Sequence, residues 1–402
     1  MPFDFDLRPE RRGTASEKWD ALSEHYGRDD VLPMWVADMD FSAPPALVEA
    51  LEARVRHGVY GYTMYDEEAY EATAVWVRSR HGWPVERDWI VFGPSVMPHV
   101  GYAIGAFTRP GDGVIVQRPV YDPFGEAIER NGRVVVNNPL VRDGDGNYRM
   151  DLDDLRAKAR AGARLLILCN PHNPVGRVWT RAELTALSEV AAECGLLVVS
   201  DEIWADLTYP GARHVPYASV VPSPARDTVV LMAPTKTFNL AGLASAYAII
   251  PDPELRRRYR EYEDAVGHPA LQFGNVMALT ALRTAYGRCA DWVDELRAYL
   301  GANLAFLEDF LAREIPEIRP VHPEGTYLVW LDCRALGLDA DALDAFFRNR
   351  ARVALKDGRT YGSEGEGFQR INIGCPRSML AEALERMAAA VQEHRRAGTQ
   401  AR

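Results

Sequence analysis

The chain has 402 residues, 47% hydrophobic, 26% charged and 10% aromatic, an ordinary globular composition with length for two or three domains. Its net charge of -11 excludes a general affinity for nucleic acid, which needs a basic surface. Five scattered cysteines without a CxxC pair argue against a disulfide framework or a zinc site, and neither a leader nor a run of roughly 18 apolar residues points away from the cytoplasm.

Residues 1–45, rich in Pro, Asp and aromatics, read as an N-terminal segment. Pro44 and Pro45 open a helix to about Arg56, because proline is tolerated in a first turn. A loop with Tyr60 and Tyr62 follows, then a helix over 67–81. Next come strand 88–92, helix 95–108, strands 113–117 and 133–137, helix 151–161, strand 164–169 and helix 180–194. Strands 196–200, 228–232 and 245–250 complete this region. The alternation predicts a mostly parallel sheet with helices on both faces. Its strands lack polar/apolar alternation, as expected when both faces are covered. Beyond Pro251, helices 253–265, 271–286 and 289–313 lead to a smaller α+β unit: strand 326–332, helix 340–349, strands 352–355 and 368–373, and helix 377–397.

The chemistry concentrates on Lys236, in Ala-Pro-Thr-Lys-Thr-Phe-Asn just after the apolar strand 228–232. Only Lys18, Lys158, Lys236 and Lys356 are lysines. Arginine supplies the remaining positive charge, and it cannot lose a proton to become a nucleophilic amine. A desolvated lysine at a strand end suits covalent bonding to a carbonyl. Ser95, Tyr121, Asn173 and Asp201 also fall at strand ends, which line the ligand crevice of an open α/β sheet. Each gains a role if the ligand is pyridoxal 5′-phosphate (PLP), whose aldehyde needs an amine and whose ring nitrogen needs an acid. Asp201, after Leu-Leu-Val-Val-Ser, suits the ring nitrogen, or else caps the next turn. Asn173, held extended before Pro174, could donate to the ring's 3′ oxygen. Tyr121 could stack on the ring or be core. Ser95 and the amides of Val96 and Met97 open a helix, a ready phosphate site. Arg370, inside an apolar strand, needs a partner: a substrate carboxylate or an internal salt bridge.

These residues sit in motifs that resemble the fold-type I PLP enzymes of the class I/II aminotransferase superfamily, and within it the MalY/PatB-type cystathionine β-lyases. The motifs are LPMWVADMDF (32–41), VYGYT (59–63), VYDPF (120–124), NPHNPVGRVWT (170–180), SDEIWADL (200–207), TKTFNLAGL (235–243), EGTYLVWLD (324–332) and RINIGCPRS (370–378). The resemblance implies a large domain, 46–285, with a mostly parallel seven-stranded sheet. It also implies a small α+β domain, 286–402, and a segment, 1–45, packed on the small domain and the active site. It makes Lys236 the Schiff-base lysine, Asp201 the pyridinium partner and Asn173 the neighbour of the 3′ oxygen. Tyr121 becomes the stacking aromatic, Arg370 the α-carboxylate clamp, and Thr235 a cofactor contact. Tyr62 would reach the PLP phosphate of a neighbouring subunit, so a homodimer is implied. Trp35 and Ala37 would close over the substrate.

Two positions depart from the pattern. Ala244 stands where aminotransferases of the superfamily carry a phosphate-binding arginine. Trp204 stands where a Tyr, or in the β-lyase group a His, is usual, and its indole donates a hydrogen bond but cannot act as an acid or base. The expected activity is α,β-elimination of L-cystathionine or related S-substituted cysteines to thiol, pyruvate and ammonia. The alternatives are an L-amino-acid aminotransferase and a PLP-fold regulator. A regulator of that kind carries a fused helix-turn-helix, for which the motifs starting by residue 32 leave no sign.

Overall fold

The computed structural model describes residues 3–400 except 145, 223–224 and 268–273. A seven-stranded sheet forms its centre. The strands are β1 (Ile90–Gly93), β2 (Gly113–Val116), β3 (Val134–Asn137), β4 (Ala163–Cys169), β5 (Leu197–Asp201), β6 (Thr228–Met232) and β7 (Ala246–Ile249). They lie in the order β1-β7-β6-β5-β4-β2-β3, and only β7 runs antiparallel to its neighbours.

The absence of alternation along these strands has a direct cause. Leu165, Ile167 and Cys169 of β4 pack into one core, while Leu166 and Leu168 between them pack into another. Successive side chains point to opposite faces, and both faces are roofed by helices, so the buried run Leu165–Cys169 is apolar at every position. Burying each Leu, Ile or Val contributes about 1.5–3 kcal/mol. On one face lie the helices Val96–Phe107, Pro123–Arg130 and Pro253–Val266. On the other lie Leu152–Arg160 and Arg181–Cys194, the latter started by a capping box of Thr180 and Glu183.

A second, four-stranded antiparallel sheet contains β8 (Arg319–Val321), β9 (Leu328–Asp332), β10 (Lys356–Asp357) and β11 (Phe368–Asn372), in the order β8-β9-β11-β10. Leu32–Pro33 forms a short parallel pair with Val353–Ala354. The expected strand 352–355 therefore belongs to the N-terminal segment's pairing and not to this sheet.

Several expectations shift. The strand placed at 88–92 begins at Ile90, because Arg87–Trp89 is a tight 3-10 turn. The helix placed at 271–286 runs Val276–Arg288, capped by the Asn275 side chain; residues 271–273 lie outside the described residues. The helix at 340–349 ends at Ala345 and continues as a wider turn, Phe346–Ala351. The last helix extends to Gln400. Not anticipated are the helix Pro123–Arg130, two short helices Glu17–Asp20 and Leu22–Tyr26, the strands β8 and β10, and the hairpin of Val141–Arg142 with Tyr148–Arg149.

Candidate active site

Lys236 does not stand in a loop as its sequence setting suggested. It is the third residue of a single helical turn, Pro234–Thr237, that begins two residues after β6. Pro234 presets the first helical φ and has no N–H to leave unsatisfied. The Lys236 Nζ donates to the Ala37 carbonyl at 2.6 Å and lies 5.5 Å from the centre of the Trp204 ring. Burial pushes its ammonium down to about 8, Arg370 pushes the same way, and Asp38 and Asp201 pull it back up.

Asp201 closes β5 and is 4% exposed. Its Oδ1 accepts from the Ile203 N–H at 3.1 Å. Among the described residues nothing donates to Oδ2, and no cation is close enough for an ion pair. Burial therefore raises its carboxyl to about 7, against the pull of the Ile203 amide and Lys236.

Arg370 lies on β11 and is 4% exposed. It has no acidic partner among the described residues, so the internal salt bridge considered above is absent there. Its Nη1 donates to the Asn173 Oδ1 at 3.1 Å and its Nη2 to the Trp35 carbonyl at 2.5 Å. Its Nε is buried without a partner among the described residues, and the Tyr361 ring lies 5.4 Å away. Asn173, four residues past β4, precedes a cis bond to Pro174. With its oxygen on Arg370, its Nδ2 has no acceptor among the described residues. Tyr121 sits beside Asp122, Asp201 and Arg370; burial raises its phenol to about 12.

The N-terminal segment is threaded through this cluster by polar ties. The Ala37 carbonyl accepts from the Tyr327 hydroxyl at 2.9 Å as well as from Lys236. The Asn372 Nδ2 donates to the carbonyls of Val36 and Asp38, both at 2.6 Å. Asn239 adopts a left-handed φ of 59°, which Asn tolerates better than most residues. That conformation lets its side chain accept from the Met39 N–H and donate to the Met39 and Phe41 carbonyls. Trp204 is 3% exposed and packs edge-on against Tyr327, ring centres 4.8 Å apart.

The structure thus brings together Trp35, Ala37, Tyr121, Asn173, Asp201, Trp204, Lys236 and Arg370. Thr235 is buried beside Lys236, its carbonyl accepting from Leu240. No hydrogen bond joins Ser95, Val96 or Met97 to Lys236. They follow β1, which ends at the same sheet edge as β6: Tyr247 of β7 pairs with Phe92 on one side and Met232 on the other. Two strand spacings, about 10 Å, separate the two ends. The Ser95 side chain makes no capping hydrogen bond to its helix. Tyr62 stands apart, 85% exposed, lining a cleft of about 800 Å³ with Phe92, Gly93, Ala244 and Asn275. Tyr327 had no role in the sequence reading. A tyrosine leading an apolar strand reads as core, and only its contact with Ala37 distinguishes it.

Comparison with known proteins places this geometry. A family model described as aminotransferase class I and II matches residues 29–387. The chain is similar to cystathionine beta-lyase PatB of Bacillus subtilis (strain 168), 44% identical over 388 residues that span 96% of this chain and 99% of the relative. It is also similar to protein MalY of Escherichia coli (strain K12), 37% identical over 384 residues, 95% and 97% of the two chains. Its fold matches the structure of cystalysin from Treponema denticola, which contains a pyridoxal 5′-phosphate cofactor. The TM-score is 0.93 at 35% identity, covering 98% of this chain and 100% of that one.

Proposed function

The chain belongs to the aminotransferase class I and II family, and from that premise we propose that it is a PLP-dependent carbon–sulfur β-lyase, eliminating thiol from L-cystathionine or related S-substituted cysteines. The observation that carries the reading is the pairing of Lys236, a half-buried amine whose hydrogen bond among the described residues goes to a carbonyl, with Asp201, a buried carboxylate whose Oδ2 lacks a donor among the described residues. The choice of lyase over amino transfer rests on the likeness to PatB and MalY.

The residues fit PLP. Asp201 would give the ring nitrogen the donor-seeking carboxylate that the protein leaves unfilled. The uncapped helix start at Ser95–Met97 offers free amides to a phosphate, and Ala244 adds no charge there. Tyr121 and Thr235 complete the wall, and the Asn173 Nδ2 and the Trp204 indole N–H are the donors assigned to the ring oxygen. Tyr62 is assigned to the phosphate of a second subunit, in a cytoplasmic homodimer. Residues 46–285 make the cofactor domain, 286–402 the small domain, and 1–45 the strap over the site. When bound, PLP supplies a ring that spreads the charge left on the substrate's α-carbon.

Arg370 binds the substrate carboxylate with the guanidinium that lacks an acidic partner, and so sets which bond at the α-carbon faces Lys236. The Lys236 Nζ takes the α-proton; its lowered pKa leaves part of the amine neutral at neutral pH. The Ala37 carbonyl then holds the ammonium by the hydrogen bond already present, with the Trp204 ring over the charge. Trp35 and Ala37 cover the site against water. A thiolate leaves the β-carbon, and the three-carbon enamine that remains is released, tautomerises to the imine and is hydrolysed by solvent water to pyruvate and ammonia. Incubation of the PLP-loaded protein with L-cystathionine, without any keto acid, is expected to release pyruvate and free thiol in equal amounts. Amino transfer to an added keto acid with no pyruvate formed in its absence would overturn the lyase reading.

A further inference from the structure

Arg370 has a second cation for a neighbour. Lys356 on β10 is its direct cross-strand partner, and opposed residues of an antiparallel pair share a face of the sheet. Lys356 therefore projects to the side from which Arg370 reaches Asn173 and the Trp35 carbonyl. It is half-buried, and among the described residues its ammonium has neither an ion pair nor a hydrogen bond.

The chain at Asp122, next to Tyr121 and at the start of the helix Pro123–Arg130, is brought to the same place by the Val120 N–H, which donates to the carbonyl of Tyr361, the ring under Arg370, at 3.1 Å. Asp122 is half-buried and likewise lacks an ion pair among the described residues. Burial pushes its carboxyl up, while Lys356, its own backbone N–H and then Arg370 pull it down. The Tyr361 phenol, under Arg370, feels both Arg370 and Asp122. These four side chains gather in one patch, in which Lys356 and Asp122 form no ion pair with each other among the described residues. Half-buried charges held apart keep part of their desolvation cost until something bridges them.

We propose that Lys356 and Asp122 form a second zwitterion subsite beside the Arg370 clamp, taking the distal end of a substrate that carries an amino-acid group at both ends of a thioether. The distal carboxylate meets Lys356 and the distal ammonium meets Asp122, while Arg370 holds the carboxylate of the half that reacts. The assignment rests on the lyase reading above and narrows it from S-alkyl cysteines to a thioether-linked diamino acid of the cystathionine type.

The test compares kcat/KM of the PLP-loaded enzyme for L-cystathionine and for S-methyl-L-cysteine, in wild type, Lys356→Ala, Lys356→Arg and Asp122→Asn. The expected result is a wild-type preference for cystathionine that falls about tenfold in Lys356→Ala and in Asp122→Asn, mainly through KM. Tenfold corresponds to about 1.4 kcal/mol of binding. Lys356→Arg, which keeps the charge, is expected to restore most of the preference. Equal losses toward both substrates, or a wild type that prefers S-methyl-L-cysteine, would overturn the subsite and leave the lyase reading standing. A wild type that cleaves neither thioether would overturn the lyase reading and the subsite with it.

Discussion

At the residue scale, the site is a set of groups that each lack one partner. Arg370 lacks an acid, Asp201 a donor on Oδ2, and Asn173 an acceptor on Nδ2, among the described residues. The sequence made these positions legible because a charge at the end of an apolar strand has few structural uses. Their mutual contacts were not legible: nothing local says that Asn173 would turn its oxygen to Arg370, or that Ala37 would present its carbonyl to both Lys236 and Tyr327. Asp201 gives a stability test. Its folded carboxyl titrates at about 7, against roughly 3.9 in an unfolded chain. Between those values the folded chain keeps a proton that the unfolded chain has lost, so this contribution is fully present below about pH 4 and is lost as pH rises through 7. In the cofactor-free protein, Asp201→Asn is expected to gain on wild type by about 3 kcal/mol between pH 5 and pH 8, at about 1.4 kcal/mol per pKa unit. Denaturant unfolding at the two pH values reads the difference, and parallel pH dependence in the two proteins would show that Asp201 is not held in this way.

At the element scale, the segment before the first long helix does what a short, aromatic, Asp-rich stretch cannot announce. Lys18 is fully buried and donates to the Asp40 Oδ2 at 2.5 Å. The Trp19 indole N–H and the Arg11 guanidinium donate to Oδ1. Arg11 also pairs with Asp38, and the Trp35 indole donates to the Lys18 carbonyl. This network fixes the path of residues 34–41 across Lys236. Burial alone would raise the Asp40 carboxyl, but Lys18, Trp19 and Arg11 together bring it below its ordinary value. Its contribution is therefore present above about pH 4 and lost as pH falls through the folded value. Removing one partner of a buried pair strands the other. Asp40→Ala is expected to cost about 3 kcal/mol in denaturant unfolding at pH 7, and a change under about 1 kcal/mol would mean that Lys18 finds another partner. Strands with both faces covered were readable from their apolar runs. The helix Pro123–Arg130 was not, because eight residues opened by Pro and containing Gly125 read as a turn between strands. The two-residue strands exist only through their partners: Lys356–Asp357 pairs with β11 and Leu32–Pro33 with Val353–Ala354.

At the scale of the whole molecule, two sheets and one strap converge on Lys236. The large sheet contributes Asp201 and the turn bearing the lysine. The small sheet contributes Arg370 and, after β8, Tyr327 just ahead of β9. Residues 36–41 are held between them by Asn372 on Val36 and Asp38, Tyr327 on Ala37, and Asn239 on Met39 and Phe41. That the large sheet is mostly parallel with helices on both faces was readable from the alternation of strand and helix. The convergence came only with the resemblance, since no local pattern relates residue 37 to residue 327. Every role assigned above depends on Lys236 being the amine that carries the cofactor. The most direct check is to load the protein with pyridoxal phosphate, reduce it with borohydride and map the peptides by mass. One pyridoxyl phosphate adduct per chain is expected, on the peptide containing Lys236, and none in Lys236→Ala. An adduct centred on Lys18, Lys158 or Lys356, or full retention of the adduct in Lys236→Ala, would contradict it.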